Sequence, residues 1–426
     1  MKNDLRIPLI VTCLLVLALS SCQNSAQDNS QEQPAAPLQQ IELTQPQEAA
    51  LGNSQVAFSI QLLQQACQAA PQDNVCLSPI GVANQLSLIA NGTQGETQSQ
   101  MLRALQVDSI AQSNAYHNLF MSRISQDTTL SMANMVVFQP TFKVLPAFNQ
   151  IAQEQYRSTV RVLSGNTAKD VARINRWCTK HTKGMIPDVA DEDMLLQSAM
   201  VLLNAVSFDA EWVHKFESWD ETYTFHTPTQ NVKADELSDS FNARYCQPTD
   251  KAGKALPFKT LCLDYAGEKY EMMIVLPRKG IAADSLLPLL TPDLLWRCSE
   301  VEKRLVYLQM PKVDMSDEVP VKNLLQSMGV TNAFDRSGSV SNFSLLSPTP
   351  TYISDIMQKV VLKIDEDGTK AAAVTITEVC IRSGIDEEPP EPIEFIVNRP
   401  YLLFLREKSH GTILFAARIN DPTARQ

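Results

Sequence analysis

Residues 366–382 restrict the fold of this chain most, because they can form a strand that is buried on one face. Side chains alternate between the two faces of a strand. From Thr369 onward, one face holds only small, uncharged side chains: Thr369, Ala371, Ala373, Thr375 and Thr377. The opposite face carries Lys370, Ala372, Val374, Ile376 and Glu378. Gly368 can change its backbone angles freely, and no proline interrupts the segment. The segment can therefore enter a packed sheet without displacing volume.

The rest of the chain predicts one α+β domain over residues 51–426, without an internal repeat or linker. Apolar periodicity predicts helices over 58–69, 83–90, 171–181 and 321–328. Ser78 and Pro79 occupy the N-cap and first position expected of the second helix. Apolar runs predict strands covered on both faces, over 135–138, 200–208, 272–276, 305–310, 360–364, 401–405 and 413–419. Because helices come early and strands late, a mixed α+β architecture is expected.

The first 22 residues are predicted to be a signal peptide. Lys2 and Arg6 precede the apolar run 7–19, which ends at Leu19-Ser20-Ser21-Cys22. This sequence resembles a bacterial lipobox, in which Cys22 is freed at its N side and lipidated. The alternative is an ordinary secretory signal with a chance cysteine. Residues 23–50, rich in Gln and with almost nothing to bury, predict a flexible tether. The domain is therefore expected outside the cytoplasm, anchored to a bacterial membrane. The outer membrane is favoured. Whether the anchor lies on its periplasmic or its cell-surface face is left open.

Charge and cysteine content exclude several kinds of partner and cofactor. The formal net charge of −11 disfavours nucleic acid, whose phosphates such a surface repels. The seven cysteines after Cys22 are odd in number and form no CxxC pair, so neither a complete disulfide framework nor a zinc site is predicted. The five histidines show no metal spacing, and no GxSxG, HExxH or P-loop motif indicates an enzyme. We expect no cofactor and no metal.

Several motifs in order along the chain resemble the serpin family of serine protease inhibitors. They include Asn74-Val-Cys-Leu-Ser78-Pro79, Val201-Leu-Leu-Asn204-Ala-Val-Ser-Phe208-Asp-Ala-Glu-Trp212, Met310-Pro-Lys312, Ile364-Asp-Glu366-Asp-Gly368-Thr369-Lys-Ala371-Ala372-Ala373 and Asn398-Arg-Pro-Tyr401. The resemblance covers nearly all of residues 51–426. It implies three β-sheets, about nine helices and an exposed reactive-centre loop, here about 366–397. In inhibitory members a protease cleaves this loop, which then inserts into the main sheet and carries the acylated protease with it; this insertion is also a general example of strand addition.

The resemblance assigns the hinge of the loop to Glu366, Gly368, Thr369 and Ala371 to Ala373. In inhibitory serpins the cleaved bond lies a fixed distance beyond the hinge glutamate. Counting Glu366 as the first residue, the seventeenth is Arg382, and Ser383 follows. An arginine before the bond suits a trypsin-like pocket or an Arg-cleaving cysteine protease. The segment from Thr369 to Arg382 would span about 46 Å as a strand, enough to carry a protease across a domain.

Four residues are assigned by the resemblance to the region where the sheet opens: Ser78, Asn204, Trp212 and Gln358. This chain departs from the family there, since Gly81 stands where a second serine is common and Gln358 stands where histidine is common. Glutamine can still donate and accept hydrogen bonds.

The loop itself departs in two further ways. Residues 386–391 form an acidic, proline-rich stretch that either contacts a basic patch on the protease or holds the loop off the body. Cys380 could be oxidised and block docking, or is merely tolerated.

These features predict a suicide-substrate inhibitor of Arg-specific proteases, with target proteases as covalent partners and the chain itself a monomer. The alternative within the family is a non-inhibitory serpin acting as a surface binding protein. A tight-binding inhibitor without loop insertion and an enzyme are the further alternatives. The small inward face of the hinge favours the inserting inhibitor.

Overall fold

A computed structural model describes residues 43–125, 127–217, 221–369 and 391–424. Several predicted features lie outside these residues. They are the signal peptide with Cys22, most of the tether, the hinge alanines Ala371 to Ala373, Cys380, the Arg382–Ser383 bond and all but the last residue of the acidic stretch 386–391.

Nine α-helices are present in the described residues. They are α1 (Gln45–Ala69), α2 (Pro79–Ala90), α3 (Gly95–Leu105), α4 (Ile110–Ile124), α5 (Pro146–Glu154), α6 (Thr167–His181), α7 (Glu192–Gln197), α8 (Pro292–Ser299) and α9 (Val321–Ser327). Short 3-10 helices cover Ala283–Leu289 and Asn332–Phe334. The four predicted helices are confirmed. None of the described helices is long and apolar enough to cross a membrane.

The described residues also contain sixteen β-strands. They are β1 (Val75–Leu77), β2 (Leu130–Phe138), β3 (Thr159–Val162), β4 (Met200–Phe208), β5 (Ala210–Glu211), β6 (Thr222–His226), β7 (Asn231–Cys246), β8 (Phe258–Asp264), β9 (Tyr270–Pro277), β10 (Lys303–Pro311), β11 (Val313–Pro320), β12 (Asp355–Ile364), β13 (Gly368–Thr369), β14 (Ile393–Ile396), β15 (Tyr401–Glu407) and β16 (Ile413–Ile419). All seven predicted strands are confirmed.

The strands form two hydrogen-bonded networks among the described residues. The first has nine strands in the order β1-β16-β15-β9-β8-β7-β10-β14, with β6 on β7. The second has seven, in the order β3-β2-β4-β12-β13-β5, with β11 on β12. The three sheets implied by the resemblance are seen as two networks because β7 is long: its start pairs with β6, its middle with β10 and its end with β8. The α+β prediction is confirmed.

Helix α1 begins inside the segment predicted as a flexible tether, so the boundary at residue 50 is wrong. Thr44 donates hydrogen bonds from its backbone N–H and its hydroxyl to Oε1 of Gln47, at 3.0 and 2.8 Å. This contact stabilises the first turn at a helix start. One turn along, the Glu48 carboxylate pairs with Arg123 at 2.9 Å and with His410 at 3.0 Å. These contacts tie the helix start to α4 and to the turn after β15.

Helix α2 lies beneath the second network, and every one of its residues is buried. It contacts β4 on one side and β16 on the other. A helix covered all round is expected to be mainly apolar, and nine of its twelve residues are apolar or glycine, the exceptions being Asn84, Gln85 and Ser87. Its N-terminus therefore lies directly under the middle of the second network, where β4 and β12 meet.

Candidate functional site: the gap between β4 and β12

Strands β4 and β12 are neighbours but pair over only part of their length. Their parallel ladder joins residues 201–204 of β4 to residues 355–358 of β12. In the described part of the chain no strand pairing connects residues 205–208 to residues 359–363. Each strand is held on its other side, β4 by β2 and β12 by β11. The two strands therefore form the walls of a gap, and each wall is hydrogen-bonded to a neighbouring strand on its other side.

The short strand β13 fills the far end of this gap. Thr369 pairs with Ile364 of β12 and with Ala210 of β5, and Gly368 pairs with Glu211. Both ladders are antiparallel. A chain that continued straight beyond Thr369 would run into the gap, alongside both walls.

Gly368 is required by a close approach between two backbones. A β-carbon at this position would lie 2.0 Å from the carbonyl oxygen of Ala210 and 2.8 Å from Cα of Glu211. Neither atom belongs to a flexible side chain, so any larger residue would force β13 away from β5. The glycine assigned to the hinge thus allows two strands to pack at a distance that no other residue permits.

The side chain of Thr369 points into the protein and is 3% exposed. Its hydroxyl is hydrogen-bonded to the hydroxyl of Tyr265 at 2.5 Å. Burial raises the pKa of Tyr265, so this phenol stays protonated and available as a donor. Because side chains alternate, the odd-numbered face predicted from sequence is the one that faces the interior at Thr369.

The turn before β13 is fixed by hydrogen bonds from the segment around Trp212. The backbone N–H of Trp212 donates to the carbonyl of Asp367 at 2.9 Å, and its indole N–H donates to that of Asp365 at 3.0 Å. The ring also stacks on Tyr265, with centroids 4.3 Å apart. The Glu366 carboxylate pairs with Lys312 at 2.9 Å. The start of the hinge is therefore held by backbone and side-chain contacts together.

A narrow cavity of about 10 Å³ lies beneath the gap, next to Thr369. Phe208 and Leu362 line it from the two walls, and Leu405 and Phe415 close it from the first network. Its lining is mainly apolar and its volume accommodates little more than a water molecule. A small apolar side chain entering there would meet few obstacles, whereas a charged one would be buried without a partner.

The paired end of the gap is closed by an amide cluster formed by Ser78, Asn134, Asn204 and Gln358. Gln358 binds both backbone groups of Ser78, accepting from its N–H and donating to its carbonyl, each at 2.9 Å. The same Nε2 group donates to Oδ1 of Asn204 at 3.2 Å, and Nδ2 of Asn204 donates to Oδ1 of Asn134 at 2.8 Å. The cluster thus joins β2, β4 and β12 to the start of α2.

Two details of the cluster differ from expectation. Ser78 holds the N-cap position of α2, but its hydroxyl donates to the carbonyl of Leu414 at 2.7 Å and does not cap the helix. At Gly81, one turn into α2, a β-carbon would lie 1.9 Å from Oδ1 of Asn204. The serine that is common there in the family would collide with this amide. Asn204 therefore occupies the space that the missing side chain leaves.

The residues predicted for the opening region fall into two places. Ser78, Asn204 and Gln358 are in hydrogen-bonding contact, whereas Trp212 lies at the other end of the gap with Glu366, Gly368 and Thr369. Sequence reasoning missed Asn134 and Tyr265. The position of Asn134, just before the apolar run of β2, could have identified it as a candidate. Nothing in the local sequence singles out Tyr265 from other buried tyrosines.

Both the sequence and the fold are similar to those of known proteins. The model of the family described as Serpin (serine protease inhibitor) matches residues 53–422. Serpin I2 of Homo sapiens is 26% identical over 380 residues, which cover 87% of this chain and 91% of that protein. Plasminogen activator inhibitor 1 of Bos taurus is 28% identical over 389 residues, covering 89% and 94%. The native structure of Tengpin, a thermophilic serpin, matches with a TM-score of 0.78 at 25% identity, covering 91% of this chain and 97% of that one.

Proposed function

The chain belongs to the serpin family, and we propose that it is a suicide-substrate inhibitor of Arg-specific proteases that traps the acyl-enzyme by inserting its loop between β4 and β12. Serpins in general inhibit proteases and are not catalytic enzymes. The observation that carries the proposal is that β13 already lies in the end of the gap. It is antiparallel to β12 and to β5, the strand that follows β4 in the chain.

The register of β13 predicts which residues the loop would meet on insertion. Thr369 pairs with Ile364 and with Ala210, so each further loop residue would pair with the preceding residue on each side. Continued in this way, position 371 would lie between Phe208 and Leu362, which line the narrow cavity. The inward alanine at 371 suits that apolar space.

The same register brings position 375 between Asn204 and Gln358, the pair that closes the amide cluster. These two residues are paired directly in the native ladder. From residue 375 onward, insertion must therefore break the 3.2 Å hydrogen bond between Gln358 and Asn204. A threonine hydroxyl at 375 could form hydrogen bonds with the separated amides of Asn204 and Gln358. The inward face of the loop would therefore be polar where the residues around it are polar.

The bait residue in this proposal is Arg382, with cleavage before Ser383; both lie outside the described residues. A guanidinium at this position would pair with the buried carboxylate of a trypsin-like pocket. Arg-cleaving cysteine proteases fit the same side chain. The protein would act as a monomer, with the protease as its covalent partner.

Incubation with trypsin tests the function. We expect a complex that survives boiling in detergent and a released C-terminal peptide that begins at Ser383. Arg382→Ala should lose inhibition of trypsin, because truncating a buried charge contact costs roughly 2–5 kcal/mol. Arg336→Ala, an exposed arginine far along the chain from the loop, is the matched control and should inhibit normally. A released peptide with another start, together with full inhibition by Arg382→Ala, would contradict the assigned bond.

We infer in addition that the inhibitor is held on a bacterial membrane by lipid on Cys22, with its domain outside the cytoplasm. Its support is the charged start, the apolar run and the sequence before Cys22. Two or more acyl chains would hold it stably, whereas one would bind only marginally. Labelled fatty acid should enter the unaltered chain and a Cys13→Ser control. Equal labelling of Cys22→Ser would show that the anchor is elsewhere.

A further inference from the structure

Three cysteines from different elements meet on the side of the first network that α8 covers. Cys246 is the last residue of β7 and pairs directly with Thr260 of β8, and Cys262 lies two residues further along β8. Cross-strand partners, and residues two apart, share one face of a sheet. Cys298 lies in the last turn of α8, which packs against β7. All three thiols belong to the same packed region of the core.

Two of these thiols interact directly. The thiols of Cys246 and Cys298 are close enough to shift each other's pKa, and the Thr260 hydroxyl also affects the pKa of Cys298. Cys298 thus lies beside both members of the cross-strand pair Cys246–Thr260. Since Cys298 is fully buried and Cys246 is only half-buried, solvent reaches the pair from the Cys246 side.

The two thiols also differ in acidity. The neighbouring Cys298 thiol lowers the pKa of Cys246, and the nearby charge of Arg297 acts in the same direction. The same neighbouring thiol and burial raise the pKa of Cys298. The accessible sulfur therefore carries the thiolate, which is the nucleophilic form, and the buried sulfur keeps the proton.

We propose that Cys246 and Cys298 form a disulfide by exchange with a small-molecule disulfide, which links α8 to the end of β7. The Cys246 thiolate attacks the small disulfide RS–SR and becomes Cys246–S–SR, releasing one thiolate RS⁻. Cys298 then gives its proton to the released RS⁻, attacks the Cys246 sulfur and releases the second RS⁻. The two protein thiols are oxidised and one small disulfide is reduced to two thiols, so atoms and electrons balance.

The other described cysteines lack this arrangement. Cys67, Cys76 and Cys178 are buried, and burial raises the pKa of each thiol. Cys262 is also buried, its pKa lies well above the ordinary value, and its neighbours include the charged Glu271, Arg406 and Arg244. Exchange is therefore expected to begin at Cys246 and at no other described cysteine.

The test is peptide mapping of the full-length chain after exposure to oxidised glutathione. The chain is purified in reductant, exchanged into oxidised glutathione, alkylated and digested without reduction. We expect a peptide pair joined through Cys246 and Cys298, lighter by two hydrogen atoms than the separate peptides, with Cys67 and Cys178 alkylated. Oxidation should also raise the melting temperature of the intact chain, because the link constrains the unfolded chain between residues 246 and 298.

Two variants make the result decisive. Cys262→Ser, altered in the same cluster, should keep the link and the gain in melting temperature. Cys298→Ser should stop at the first step and carry glutathione on Cys246. The proposal is overturned if the unaltered chain keeps both thiols free, if glutathione stays on Cys246, or if Cys246 joins Cys262 instead. None of these outcomes depends on protease inhibition or on lipid at Cys22, so the disulfide stands or falls independently of the proposed function.

Discussion

At the scale of single residues, the amide of Asn204 and the bare backbone of Gly81 must be considered together. The amide lies where a side chain on the helix would begin. It also forms the bonds to Asn134 and Gln358 that hold three strands together. A residue change at either position therefore acts on the closure of the gap as well as on local packing.

Gly81→Ser should destabilise the native protein by about 1–3 kcal/mol, the usual cost of overpacking a core. The new β-carbon would displace the Asn204 amide and break its hydrogen bonds. Thermal unfolding of the intact chain measures the effect. The double variant Gly81→Ser with Asn204→Ala is the control, because it frees the space. Its loss should be smaller than the sum of the two single losses. Strictly additive losses would show that the two side chains do not compete for this space.

Sequence reasoning at this scale identified Gly81 and Gln358 as departures but not how they are accommodated. In the structure Gln358 binds the N–H and the carbonyl of Ser78 as well as Asn204. Which rotamer an amide adopts depends on neighbours that are distant in sequence, so one-dimensional spacing could not show it.

At the scale of elements, β13 gives a direct test of which loop face is buried. Ala371→Glu should turn the inhibitor into a substrate, because its charge would enter the apolar space between Phe208 and Leu362. Each 1.4 kcal/mol of added barrier slows insertion roughly tenfold, and deacylation then wins. Ala372→Glu adds the same charge on the opposite face and should inhibit nearly normally. The stoichiometry of inhibition measures both. If the two variants exchange behaviour, the register drawn from Thr369 is off by one residue.

Elements with strong apolar periodicity were the easiest to predict. Strand β4, whose nine residues are apolar except for Asn204 and Ser207, was located from sequence to its last residue, Phe208. Helix α1 was located too short, because its first turn is mainly polar and is held by Thr44, by Glu48 and by contacts to Arg123 and His410. Polar helix starts resemble tethers in composition. Only tertiary contacts distinguish them.

At the scale of the whole molecule, the gap predicts that the intact fold is not the most stable one. If the chain inhibits as proposed, cleavage at Arg382 would free the loop to fill the space between β4 and β12 and to complete both ladders. The cleaved chain should therefore melt well above the intact chain, whose protection is kinetic. Calorimetry before and after limited proteolysis measures this. Cleaved Ala371→Glu serves as the control and should gain much less. Equal melting temperatures for the intact and cleaved unaltered chain would exclude insertion.

Long-range pairing was the least predictable part of the fold. The sequence indicated which segments are strands, yet the junction made by β7 and the partial ladder between β4 and β12 depend on which strands become neighbours. The hinge residues Gly368 and Thr369 were identified through resemblance. Their place between β5 and β12 became visible only when both walls were present.

The composition of the amide cluster also bears on acidity. Ser78, Asn134, Asn204 and Gln358 are all neutral groups whose protonation does not change across the physiological range, whereas a histidine at position 358 would gain a charge as the surroundings turn acidic. The contacts that must separate for the strands to part therefore carry no proton-dependent component of their own. If the chain works outside the cytoplasm, as proposed, this cluster would resist opening equally in acidic and in neutral fluids.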